Sequence, residues 1–372
     1  MLKFIYLISF VLCFLSCKES IDSSHRILKV SLYNKDSESK IEDIFKKIEI
    51  ISLEASNESS MKAIRKIKIK NDTLYIFDSY SKALYLFSTN GQYLQKIHRI
   101  GKSREEYLHL SDFEIDRKTG NMLLLDPTGW INEYSVNGKF IKKHKLPKPP
   151  YNYHRITMLD SVYYAFWSTS NDKENVINFL NINTKKITNG YLRNSSVWGS
   201  FKMDGVFHKY NNDIYYNEAL CGKVYKITPK GYDIAYEWDF GLDPISKYRL
   251  LKPIKNREDH MRINQDYRDG KIPFSYSIQL QSNKYYCTTI IENTKLLKTY
   301  LYDKQTKEYK IITEDNGVMR IIPKFMNDEY MLGVINSRNP KLLKEYIIEK
   351  NYTTIGNIDN VGNPLLIKMY FK

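Results

Sequence analysis

A chain of 372 residues can hold one large domain or two to three ordinary ones, and its hydrophobic content of 42% excludes wholesale disorder and a polytopic membrane protein. The net charge of +15 comes from lysines scattered along nearly every segment, with Asp and Glu interleaved. That is the pattern of a solvated lysine-rich surface rather than of a nucleic-acid-binding patch. The 31 tyrosines and frequent Ile favour strands, because aromatic and β-branched side chains suit a pleated, half-buried surface.

In chain order, Lys3 and the apolar run Phe4–Leu15 form a signal-peptide pattern too short to span a bilayer. The run ends in Phe14-Leu15-Ser16-Cys17, which looks like a bacterial lipobox, with Cys17 as the lipidated residue. Residues 1–16 are then the leader. The polar stretch that follows, 17–44, reads as a lipidated tether. Of the remaining cysteines, Cys221 and Cys287 lie inside apolar strand patterns; a bridge between them is possible, and a pair of buried free thiols is the commoner outcome.

Lys47–Leu53 is a strand without a hairpin partner. Regular four-stranded units follow. In the first, Ile67 and Ile69 alternate with lysines, Asn71-Asp72 turns the chain into Leu74–Phe77, and Ala83–Phe87 and Tyr93–His98 flank the Asn90-Gly91 turn. Similar units are predicted over Leu110–Leu146, Arg155–Leu192, Val206–Phe240 and Phe274–Thr313. A sixth, from Met319, has only three strands. Equivalent strands end at Asp78, Asp126, Trp167 and Asn217, separated by 48, 41 and 50 residues, each close to one propeller blade. Two helices interrupt the rhythm, one within Asp243–Asp269 and one opened by Asn339-Pro340. The orphan strand Lys47–Leu53 supplies the strand missing from the last unit. The expected architecture is therefore an all-β, six-bladed β-propeller over residues 45–372, closed by its N-terminal strand and carrying short helical insertions near 243–269 and 339–350.

The leader, the KIEIISLE strand, the LYIFD…STNGQYL blade and the closing NPLLIKMYFK resemble the six-bladed β-propeller lipoproteins of Bacteroidota, related in architecture to NHL-repeat and TolB-like propellers. The loop Gly101–Tyr107 resembles the inter-blade glycine loop of NHL-type repeats. The resemblance implies a cell-envelope, outer-membrane location and a binding platform more than an activity.

No nucleophile elbow, zinc-protease helix, phosphate loop or dinucleotide motif occurs, so no catalytic residue, metal or cofactor is assigned. The seven histidines lack ligand spacing. Asn357-x-Asp359-x-x-Gly362 fails as a calcium loop, because Lys368 stands where a bidentate acid belongs. Asp78 and Asp126 read as turn-capping rather than channel carboxylates. Asp72-Thr73-Leu74 and Asp160-Ser161-Val162 match a three-residue O-glycan acceptor pattern as well as ordinary turn chemistry. If the helical insertion covers a pocket, Arg257, Glu258 and His260 are its ligand-binding candidates; a solvated helical face is the plainer reading. Tyr191 and Trp198 suit stacking on a sugar ring or packing between blades. The leading expectation is a lipid-anchored, monomeric, non-catalytic platform for a protein or glycan partner, without nucleic acid. The rivals are a propeller lyase or hydrolase with a metal in the central channel, and a secreted polyanion binder.

Overall fold

A computed structural model describes residues 25–147, 153–168, 175–193, 205–242, 257–292, 296–312, 317–358 and 362–372. The strands form six sheets. Blades one to three have four strands each, from Ile64–Lys70 to Tyr93–Ile97, from Asp112–Ile115 to Phe140–Lys145, and from Tyr153–Met158 to Ile187–Arg193. Blades four and five begin at Phe207–Tyr210 and Phe274–Gln281, and blade six at Arg320–Met326.

Why these stretches become strands is clearest in blade one. At its first turn Asn71 and Asp72 both take positive φ, 47° and 55°, the backbone of a two-residue turn whose twist matches antiparallel strands. The second strand, Thr73–Asp78, is an unbroken hydrophobic run from Leu74 to Phe77 because both of its faces are covered. Leu74 and Ile76 point into a core shared with Leu332 and Val334 of blade six. Tyr75 and Phe77 point into one shared with Phe113 and Leu124 of blade two. No blade has a core of its own; each hydrophobic cluster lies between neighbours, and the ring is the unit that buries them.

The ring closes as its sequence predicts. Phe45–Ile51 is the fourth strand of blade six, antiparallel to Leu366–Phe371, with Ile50 opposite Ile367 and Ile48 opposite Met369. Gly91, at φ 89° in the last turn of blade one, accepts the seam from the other side: its carbonyl takes the N–H of Glu54 at 2.8 Å.

The tether reading is corrected from residue 25 onward. Arg26–Lys29 adds a fifth, parallel strand to blade four, and Glu38–Ser39 does the same on blade five. The segment then runs through the short helix Ile41–Ile44 into the closing strand. Leu28, Val30 and Leu32 are buried, whereas Ile27 is 50% exposed. The period of two was present in RILKVSL, hidden in a polar stretch. The Lys298 ammonium pins this belt, donating to the Leu32 carbonyl at 2.9 Å while paired with Glu292 at 3.1 Å, both side chains buried. Thr353–Ile355 is a further fifth strand, on blade six. Three outer edges are thus covered against strand pairing with other chains.

Both foreseen helices are present. Arg257–Arg268 is anchored by buried Ile263 and by the Tyr267 hydroxyl, which donates to the Ile291 carbonyl at 3.0 Å. Pro340–Glu349 is capped by Asn339, whose side chain accepts from the N–H groups of Lys341 and Leu342, and it buries Leu343 and Ile347 but leaves Leu342 exposed. Cys221 and Cys287 are buried, are not joined by a disulfide, and lie in separate core clusters.

Candidate functional site: the axial channel and its rim

In an antiparallel blade, the connections between blades and those between second and third strands emerge at the same end. The Arg257–Arg268 and Pro340–Glu349 insertions are of these two kinds, so both leave the ring at that end. Asp78 and Asp126 build its turns. Asp78 accepts from the N–H groups of Ala63 at 2.9 Å and Tyr80 at 3.0 Å; Asp126 accepts from those of Leu108 at 2.9 Å and Thr128 at 2.9 Å. Each buried aspartate therefore ties the approach to its own blade to that blade's middle turn. They are capping residues, as their spacing predicts.

Between these turns a cavity of about 280 Å³ opens at the rim of blades one to three. Its wall includes Arg65, Lys82, His109, His154, Arg155 and Trp167, and no carboxylate among the described residues. Arg155 donates to the carbonyls of Ser111 at 3.3 Å and His154 at 2.7 Å. The buried Tyr107 hydroxyl donates to the Lys82 carbonyl at 2.9 Å, fixing that turn from below.

Arg65 also lines a second cavity, of about 270 Å³, along the ring axis. The innermost strands of blades one, three, four, five and six contribute to it. Here the alternating lysines of IRKIKIK find their role. Lys66 pairs with Asp112 at 2.8 Å and also donates to the Phe113 carbonyl at 2.7 Å; Lys68 pairs with Glu114; Lys70 donates to the Asp116 carbonyl at 2.9 Å. The same two carboxylates accept from blade three, Asp112 from the N–H of Ile156 at 2.9 Å and Glu114 from that of Met158 at 3.3 Å. Each acid is a strut joining three innermost strands. Burial opposes ionisation of Glu114, but Lys68 and Lys66 hold its carboxyl below the ordinary range.

Other groups stand opposite. Lys209 lines the cavity without an ion-pair or hydrogen-bond partner among the described residues, and burial, joined by Arg117 and Lys68 and opposed by Glu114, pulls its ammonium below the ordinary lysine value. Lys324 donates to the Arg65 carbonyl at 3.0 Å. His208 is buried, stacked on Tyr215 with ring centroids 5.0 Å apart, and burial followed by Lys304 lowers it to about 3, so it is neutral. The described residues do not fit a metal: their two channel carboxylates are taken by lysines, and their remaining charge is positive. Among the described residues no three His, Cys, Asp or Glu side chains gather as a metal-ligand group.

The residues chosen from sequence fall elsewhere. Glu258 is exposed in the first turn of Arg257–Arg268, and the described walls of the two cavities contain no residue of that helix, which also carries Arg257 and His260. Tyr191 packs between blades three and four, 5.3 Å from Phe179 and 4.8 Å from Tyr232 by ring centroids, and its hydroxyl donates to the Gly231 carbonyl at 2.7 Å. Trp198 and Cys17 lie outside the described residues. Sequence reasoning passed over Lys66, Lys68 and Lys209 because strand lysines look solvent-facing. The carboxylates at the same register in blade two were the available signal.

No curated protein matches the chain. Among solved structures, a Bacteroides fragilis protein named as exported is similar over 93% of this chain and 99% of its own, with a TM-score of 0.70 at 15% identity. A DUF4221-family protein of Bacteroides vulgatus is similar over 88% and 97%, with a TM-score of 0.51 at 10% identity. At these identities the likeness is one of fold. Residues 25–370, from the belt to the closing strand, match the family described as Domain of unknown function (DUF4934), and the chain belongs to that family.

Proposed function

We propose that this protein is an exported, envelope-anchored binding platform that uses the rim of its propeller to hold an acidic protein or glycan partner, without catalysis. The observation that carries this is the rim cavity, where Arg65, Lys82, His109, His154 and Arg155 converge with no carboxylate in the described wall. Such a wall selects negative charge and speeds its arrival. The rigid ring holds the loops in place, as binding loops require. The name of the Bacteroides fragilis protein of the same fold, which describes it as exported, and the leader ending at Cys17 support an envelope location with the lipid on that cysteine.

The test combines charge reversal with anchoring. Lys82→Glu/His109→Glu should abolish retention of acidic glycans on an array, and of acidic partners in cross-linking, while leaving the unfolding midpoint unchanged. Cys17→Ala should move the protein from the membrane to the soluble fraction. Retention of partners by the charge-reversed variant refutes the rim as the binding surface; unchanged membrane association refutes the anchor.

A further inference from the structure

We infer that the axial cavity is a second site, independent of the rim, that takes a small organic anion: an oxyanion on an apolar carbon body. Three observations converge. The first is charge: Arg65, Lys66, Lys68, Lys209 and Lys324 line the cavity, and among the described residues the carboxylates beside it, Asp112 and Glu114, are ion-paired with Lys66 and Lys68. Lys209 has no ion pair among the described residues, and Arg117 and Lys68 act on it against the single opposing carboxylate Glu114, an arrangement that an anion relieves.

The second is an unmatched donor. Gln279, in the wall and fully buried, has its side-chain oxygen held by the Trp238 indole N–H at 2.9 Å. Its Nε2 has no partner among the described residues. A buried donor left unmatched is costly, so a ligand that accepts from it is favoured. The indole also fixes which way the amide faces, since the oxygen must be the acceptor.

The third is the rest of the wall. Ile67, Ile156, Phe207, Ile278 and Phe325 give it apolar surface. At about 270 Å³ the space suits a molecule of one or two rings, near the lower bound of small-molecule pockets. A bare inorganic anion would satisfy the charge and leave that apolar surface wet.

The experiment is titration calorimetry on the intact chain with three probes: 2-naphthoate, the neutral 2-naphthylmethanol, and inorganic phosphate. Expected is saturable binding of 2-naphthoate, at least tenfold weaker binding of phosphate, and none of the alcohol. Lys209→Met should weaken 2-naphthoate tenfold or more, and Lys209→Arg should restore it. Lys82→Glu/His109→Glu, at the rim, should leave it unchanged. Equal binding of acid and alcohol, no binding of 2-naphthoate, or full affinity in Lys209→Met would each overturn the channel site. Undiminished partner retention by Lys82→Glu/His109→Glu, with 2-naphthoate binding intact, would overturn only the rim reading.

Discussion

Leu28→Ala tests whether the segment before the closing strand belongs to the fold. Leu28 is fully buried, sits in register with Trp238 of blade four, and packs in the core that joins blades three, four and five. Removing its three terminal carbons forfeits about 2.5 kcal/mol of transfer free energy at about 0.8 kcal/mol each, and the residual cavity raises the loss towards about 4 kcal/mol. Detachment of the belt caps the loss at whatever the belt itself contributes. Ile27, one residue earlier and half exposed, points to the other face; Ile27→Ala should stay within about 0.5 kcal/mol of the parent. Urea unfolding of the full chain, followed by tryptophan fluorescence, reads both, since the buried Trp238 indole lies beside the altered site. An unshifted midpoint in Leu28→Ala, or equal losses in the two variants, would refute the register and return the segment to a tether.

Two other outcomes follow from local geometry. Gly91→Ala imposes a side chain at φ 89° and drives its Cβ into the Ser52 carbonyl at the blade-six seam, whereas Gly129→Ala, at φ 102°, meets nothing within 4 Å. The first should cost about 1–3 kcal/mol more than the second in thermal unfolding, and equal losses would show that the seam yields freely. Glu133 is lowered to about 2, chiefly by its hydrogen bond with His144 (2.9 Å), against the cost of burial, with help from Asn121 and Lys142. A depressed folded-state value stabilises the fold above the unfolded value, near 4.5, and that stability is lost as pH falls towards 2. The full effect would be about 3.4 kcal/mol, which solvent screening at this partly exposed cluster brings down to roughly 2–3 kcal/mol, and Glu133→Gln should flatten the dependence of the urea midpoint between these limits; an unchanged slope refutes the assignment.

Blade number, turn positions and ring closure were legible in the amino-acid order because each is written locally. Asn71-Asp72 can take two positive φ angles, the apolar second strands need cover on both faces, and a three-stranded last unit leaves one partner for Phe45–Ile51. The capping aspartates could be read for the same reason, since Asp78 and Asp126 act on backbone groups fixed by blade geometry. Only the assembled ring decided the belt and the site. Leu28 earns its burial from a strand more than two hundred residues away, and three alternate apolar positions in a polar stretch do not say which sheet edge is free to receive them. The channel depends on angles around an axis: Lys68 pairs directly with Glu114 of the next blade, while Lys209 feels that carboxylate without forming an ion pair among the described residues. The strand pattern of each lysine is the same, and its partner is chosen by a neighbouring strand brought alongside only when the ring closes.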